Sequence, residues 1–175
     1  MTIAIATLAN TLLRKAKIKS PPVPIEKIAA QKKVKISYAV LDGDVSGLLY
    51  RKDKDVVIGV NASHVPTRQR FTIAHELGHF LLDHDAELYV DKGHKIIFRD
   101  SNSKTGLNES ERQANQFAAV ILMPEDMIRD ELNKSPIDFD DPKALEKLAG
   151  RFGVSTQALT YRLINLNLVD FFPRT

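Results

Sequence analysis

The sequence predicts an α+β fold in which a small β-sheet packs on helices. Three observations carry this. The runs KISYAV (35–40), SGLLY (46–50) and DVVIGVN (55–61) are rich in β-branched or aromatic residues, and the turn-like LDGD and RKDKD separate them. On both sides of these runs, apolar residues recur at helical spacing. Prolines stand where one pattern gives way to the next.

The elements follow in order. Ile3, Leu8, Leu12 and Leu13 suit one helical face, and the run SPPVP (20–24) ends that helix. A short helix is expected over 25–33, then the sheet, with 56–60 as its last strand. Residues 66–84 read as a helix with Ile73, Leu77, Phe80 and Leu81 as its apolar stripe. Residues 85–106 are polar and charged, with a strand signal at 95–99. A connection this long in a small domain is often functional. A helix over 108–123 buries Phe117, Val120 and Ile121, and Pro124 can open the next, PEDMIRDELNK. Two helical runs close the chain, PKALEKLAGRF and STQALTYRLINLN, the second capped by Ser155.

Composition bounds the chemistry. The chain has 175 residues, 43% hydrophobic and 27% charged, enough for one domain with its own core. There is no cysteine, which excludes a thiolate metal site, a cysteine nucleophile and a disulfide framework. A net charge of +3 says little about partners. The N-terminal apolar stretch has its charges after it, the wrong order for a secretory signal, and is too short and interrupted to span a bilayer. A cytoplasmic protein with no membrane partner is expected.

The stretch FTIAHELGHFLLDH (71–84) carries the chemistry. His75 and His79 are four apart, so on a helix they lie one turn apart on one face and can aim ring nitrogens at a single point. Glu76 is rotated about 100° from His75, which puts its carboxylate beside a metal, where it can accept a proton from an attacking water. This is the content of an HExxH motif, here HELGH. A catalytic zinc needs a third protein ligand. His84 and Asp85 lie five and six residues after His79, but the position where a turn-making glycine would be wanted is Leu82. Glu111 and Asn115 share a face of the next long helix, so a carboxylate could reach the metal while the amide orients a histidine. Glu109 and Glu111 are equally intelligible as first-turn acids favoured by the helix dipole.

RQRFTIAHELGHFLLDH followed by ERQANQFAAVILMP resembles the ImmA/IrrE family of metallopeptidases. More weakly, the similarity takes in PPVPIEKIA, the VIGVN strand and LAGRFGVSTQALTYRLINLNLV. The resemblance implies a thermolysin-like peptidase domain over 1–134 and, over 135–175, a helical tail resembling a helix-turn-helix. It implies His75, His79 and Glu111 as metal ligands and Glu76 as the catalytic acid/base. Asn115 would support a ligand, and Gln113 stands where members often have a second acid. The metal would be Zn2+, with Mn2+ able to use the same donors. The substrate would be a protein, a cognate helix-turn-helix transcriptional repressor cut at one site. Strand 56–61 would line the cleft as an edge, with Tyr89, His84 or His94 as helpers. A DNA- or partner-binding regulator with a structural or vestigial metal site is the alternative. The tail offers Gln157, Tyr161, Arg162 and Asn165 toward a duplex without a basic patch, which argues against direct nucleic-acid binding.

Overall fold

The computed structural model of the protein describes residues 2–42, 44–84, 88–91, 106–139 and 141–169. Its elements run α1 (Thr2–Lys15), α2 (Ile25–Gln31), β1 (Val34–Ala39), β2 (Gly47–Lys52), β3 (Asp55–Asn61), α3 (Pro66–Leu81), β4 (Leu88–Asp91), α4 (Gly106–Leu122), α5 (Glu125–Lys134), α6 (Pro142–Phe152) and α7 (Thr156–Asn165). The fold is α+β, as the sequence predicts.

The sheet has the order β1-β3-β2-β4. β2 and β3 form an antiparallel hairpin that turns at Asp53, whose φ of 54° is left-handed. β1 joins β3 in parallel, with Val34 opposite Val56, and β4 pairs antiparallel to β2. Leu49, Ile58 and Val60 point into the core and are fully buried. Alternation along the strands therefore gives one face to the core, and each large buried side chain contributes about 1.5–3 kcal/mol.

α3 crosses this face against β2 and β3 and packs along α4, while α1 covers the other side of α4. α3 has no side-chain cap, but Pro66 in its first turn starts it in helical φ. Its inner side, from Thr72 to His79, is buried without interruption. α4 answers with Ala114, Phe117, Ala118 and Ile121, all fully buried. The crossing is close at Gly78. A Cβ there would lie 3.1 Å from Phe117 Cδ1 and 3.2 Å from Ala114 Cα.

Three elements differ from the sequence expectation. Strand 56–61 is not an edge: β3 pairs on both sides, and among the described residues the outer strands are β1 and β4. The run reads identically in either place because period-2 burial does not encode which neighbours a strand has. A fourth strand, β4, follows α3, so 56–60 is not the last. The helix expected over 66–84 ends at Leu81. The strand signal at 95–99 lies outside the described residues.

The C-terminal helices are tied to α3 and α4 by guanidinium groups. Arg70 Nε donates to Gly153 O at 3.1 Å and its Nη2 to Val23 O at 2.8 Å. Arg162 Nε donates to Met123 O at 3.0 Å, and Arg151 pairs with Glu131. Ala158, Leu159 and Leu163 bury the inner face of α7. Among the described residues, no helix is long and apolar enough to cross a membrane.

Because Arg70 satisfies carbonyls from two separate connections, Arg70→Met should destabilise the chain by about 2–3 kcal/mol. That corresponds to a fall of roughly 5–10 °C in melting temperature by calorimetry. A variant that melts with the wild type would show that the contact is dispensable.

Candidate metal centre

The α3–α4 crossing brings the chemistry-bearing residues together. Among the described residues, His75, His79 and Glu111 form a three-donor group whose ligand atoms all lie within 4.8 Å of one another. His75 Nε2 and His79 Nε2 are 3.0 Å apart. Glu111 Oε2 lies 3.4 Å from the first and Oε1 3.3 Å from the second. Bonds of ~2.0–2.1 Å at a tetrahedral angle would separate two ligand atoms by ~3.3 Å. The spacing of these three groups therefore fits a divalent ion without rearrangement.

Asn115 makes the fit chemical as well as geometric. Its Oδ1 is 3.0 Å from His75 Nδ1, so that nitrogen donates and Nε2 is left to face His79 and the Glu111 carboxylate. Only a proton, in the metal-free chain, or a cation in its place can sit favourably between these donors. Burial pushes the Glu111 carboxyl up, but hydrogen bonds and charge from His75 and His79 outweigh it and hold the group at about 2. Burial pushes His79 below its ordinary 6.5, against the pull of Glu111. A neutral imidazole is the ligand form, so this burial favours metal over proton.

Glu76 is fully buried, as are the two histidines to within 3%. It lies under β2, where a Cβ on Gly47 would be 3.7 Å from its Oε1 and 2.3 Å from Thr72 Cγ2. The missing side chain lets the strand settle on α3 beside the carboxylate. The sequence reading found no signal for Gly47, because close approach between a strand and a distant helix leaves no local pattern.

The other residues weighed from sequence fall elsewhere. His84 stands on the far side of the His79 ring, Nδ1 to Nδ1 at 2.9 Å, outside the three-donor group. Glu109 is the first-turn acid of α4 and pairs with Arg112. Asp85, His94 and the Tyr89 side chain lie outside the described residues.

Comparisons with known proteins identify the family. The family model described as "IrrE N-terminal-like domain" (Peptidase_M78) matches residues 29–164. The radiation response metalloprotease IrrE of Deinococcus radiodurans is 38% identical over 109 residues, 61% of this chain and 30% of that protein. Its counterpart from Deinococcus deserti is 37% identical over 109 residues, 61% of this chain and 35% of that protein. The chain thus spans about a third of the length of these curated relatives. A Mycobacterium tuberculosis transcriptional regulator shares the fold with a TM-score of 0.62 at 19% identity, covering 98% of this chain and 48% of the other.

Two outcomes are expected. Gly78→Ala sets a methyl against the α4 backbone, so the helices must part and Glu111 must draw away from the histidines. Zinc uptake, read by chelator competition, should weaken about tenfold or more, with a stability cost of about 1–3 kcal/mol. The metal-free chain should also lose stability as pH falls. Below 6.5 the unfolded chain protonates histidine that folded His79 resists. Between 4.5 and about 2 it protonates the carboxyl that folded Glu111 keeps ionised. Thermal melts of Glu111→Gln in chelator should show a shallower fall than the wild type over the lower window.

Proposed function

Since the chain belongs to the IrrE N-terminal-like domain family of M78 peptidases, we propose that it is a zinc-dependent endopeptidase. The observation that carries this is the convergence of two imidazole Nε2 atoms and a carboxylate at 3.0–3.4 Å beside a buried glutamate. In this reading His75, His79 and Glu111 hold the metal, zinc or manganese, and Glu76 is the catalytic acid/base. A bound zinc would supply Lewis acidity and bring the pKa of water toward 7.

The chain's own residues do the rest. Glu76, shielded from bulk solvent, accepts the proton of the attacking water and can return it to the departing amine. Asn115 keeps His75 oriented. The β4 edge, unpaired on its outer side among the described residues, suits an extended peptide added as a further strand. Main-chain pairing of that kind asks little of substrate sequence, so selectivity must come from contacts beyond the cleft.

The substrate we favour is a cognate helix-turn-helix repressor, cut to relieve repression. The support for it is the family resemblance in FTIAHELGH and ERQANQFAAVILMP. Residues 1–134 would carry the peptidase centre, and 135–175 would serve as a packing or docking tail. A DNA-reading role for that tail is disfavoured by Arg162, whose guanidinium is spent on Met123 O instead of standing ready for phosphate.

Elemental analysis tests the centre: about one zinc per chain is expected for the wild type, with most of it lost in Glu111→Ala. Glu76→Gln should retain metal and lose cleavage by roughly 100-fold or more. A wild-type chain that takes up no metal from supplied zinc would falsify the reading.

A further inference from the structure

His79 is engaged on both sides of its ring. Past the end of α3, Asp83 adopts a left-handed φ of 54°, and the chain turns back so that His84 N donates to His79 O at 3.1 Å. Arg51 on β2 clamps this turn. Its Nη2 donates to His79 O at 2.9 Å and to His84 O at 3.3 Å, and its guanidinium lies 5.3 Å above the Phe80 ring. The turn presents the His84 ring edge-on to His79, with centroids 5.0 Å apart and an interplanar angle of 72°. The two Nδ1 atoms, at 2.9 Å, share one proton.

Which ring owns that proton is decided one bond further out. His84 Nε2 lies 3.1 Å from Gln113 Oε1, which can only accept, so Nε2 is the protonated nitrogen of His84. Gln113 is held in this orientation because its Nε2 donates to Glu109 Oε1 at 2.8 Å. Glu109 is itself gripped by Arg112 through bonds of 2.9 and 2.7 Å. With its proton on Nε2, the His84 imidazole offers a lone pair at Nδ1, to which His79 Nδ1–H donates. That keeps a proton on His79 Nδ1 and leaves Nε2, toward His75 and Glu111, as the nitrogen a metal would take.

We infer that His84 and Gln113 are positioning residues for the metal centre, holding His79 in the tautomer that binds metal. The inference rests on the metal-centre reading above. It assigns to the turn after α3 and to the outer face of α4 a task that each ligating histidine needs done: Asn115 does it for His75, and the His84–Gln113 pair does it for His79. Outer partners of this kind typically contribute 10–100-fold to metal affinity.

The test uses zinc and a competing chelator on the full chain, with wild type, His84→Leu, His84→Gln and Gln113→Leu compared. His84→Leu should bind zinc about 10–100-fold more weakly. His84→Gln, whose amide oxygen can still accept from Nδ1, should recover most of that loss. Gln113→Leu provides an independent arm should His84→Leu fold poorly, and it should weaken binding by a smaller factor. Nitrogen-15 NMR of the zinc-loaded chain should find His79 Nδ1 protonated and protected from exchange in the wild type but exchanging faster in His84→Leu, a signature that a merely structural contact would not set. Equal zinc affinity in wild type and His84→Leu, or a His79 Nδ1 that carries no proton in the zinc-loaded chain, overturns the inference and leaves the metal centre standing. A wild type with no zinc affinity overturns both.

Discussion

The closest constraint in the molecule is the crossing of α3 and α4 at Gly78. The two helices approach until the Ala114 backbone and the Phe117 ring fill the space that a side chain would need. Everything at the site depends on that distance. The histidines come from one helix and the carboxylate from the other, and no hydrogen bond within either helix can set the gap between them. Packing sets it: Ile73 and Leu77 on α3 and Phe117 and Ile121 on α4 are all fully excluded from solvent. A close-packed interior deforms little, so a donor group assembled across it is held to a few tenths of an ångström.

Much of the fold was legible because its signals are local. Pro66 opens α3 and Pro124 follows the end of α4, and the runs at 35–40, 46–50 and 55–61 became β1, β2 and β3. The pairing of His75 with His79 followed from helical periodicity alone. Glu111 did not: Glu109 and Glu111 look alike in the sequence, and only the resemblance separated them. The structure separates them by facing. Glu111 turns toward the histidines, while Glu109 turns to Arg112 and Gln113. What stayed hidden required either a pairing partner or a backbone angle. Strand 55–61 is interior because β1 adds in parallel on its far side, a choice made by chain topology. His84 was weighed as a ligand for its place five residues after His79, and the absence of glycine at Leu82 counted against a turn there; Asp83 makes a turn one residue later.

The sheet and the helices also divide their labour. The sheet offers a flat apolar base and contributes two groups to the site's surroundings: Gly47 by what it lacks and Arg51 by what it reaches. The helices contribute every group in the donor cluster. Sites built on regular elements hold their geometry better than sites on loops, and this one takes its three donors from two helices.

The fold's longest side chains anchor in an unusual currency. Arg70, Arg51 and Arg162 each end on main-chain carbonyls at 2.8–3.0 Å. Attraction between two exposed ions fades as ionic strength rises, because mobile counterions screen both partners. The bond from a guanidinium to a carbonyl needs no opposite ion, and it is short and directional; Arg51 keeps its two even if salt loosens its exposed pair with Asp83. The carbonyl junctions that seat α3 on the sheet and on the C-terminal helices are therefore of a kind that salt barely loosens. In this chain, surface pairs such as Lys35–Asp55, at 3.3 Å with both side chains over 70% exposed, are the ones that changing salt would release first.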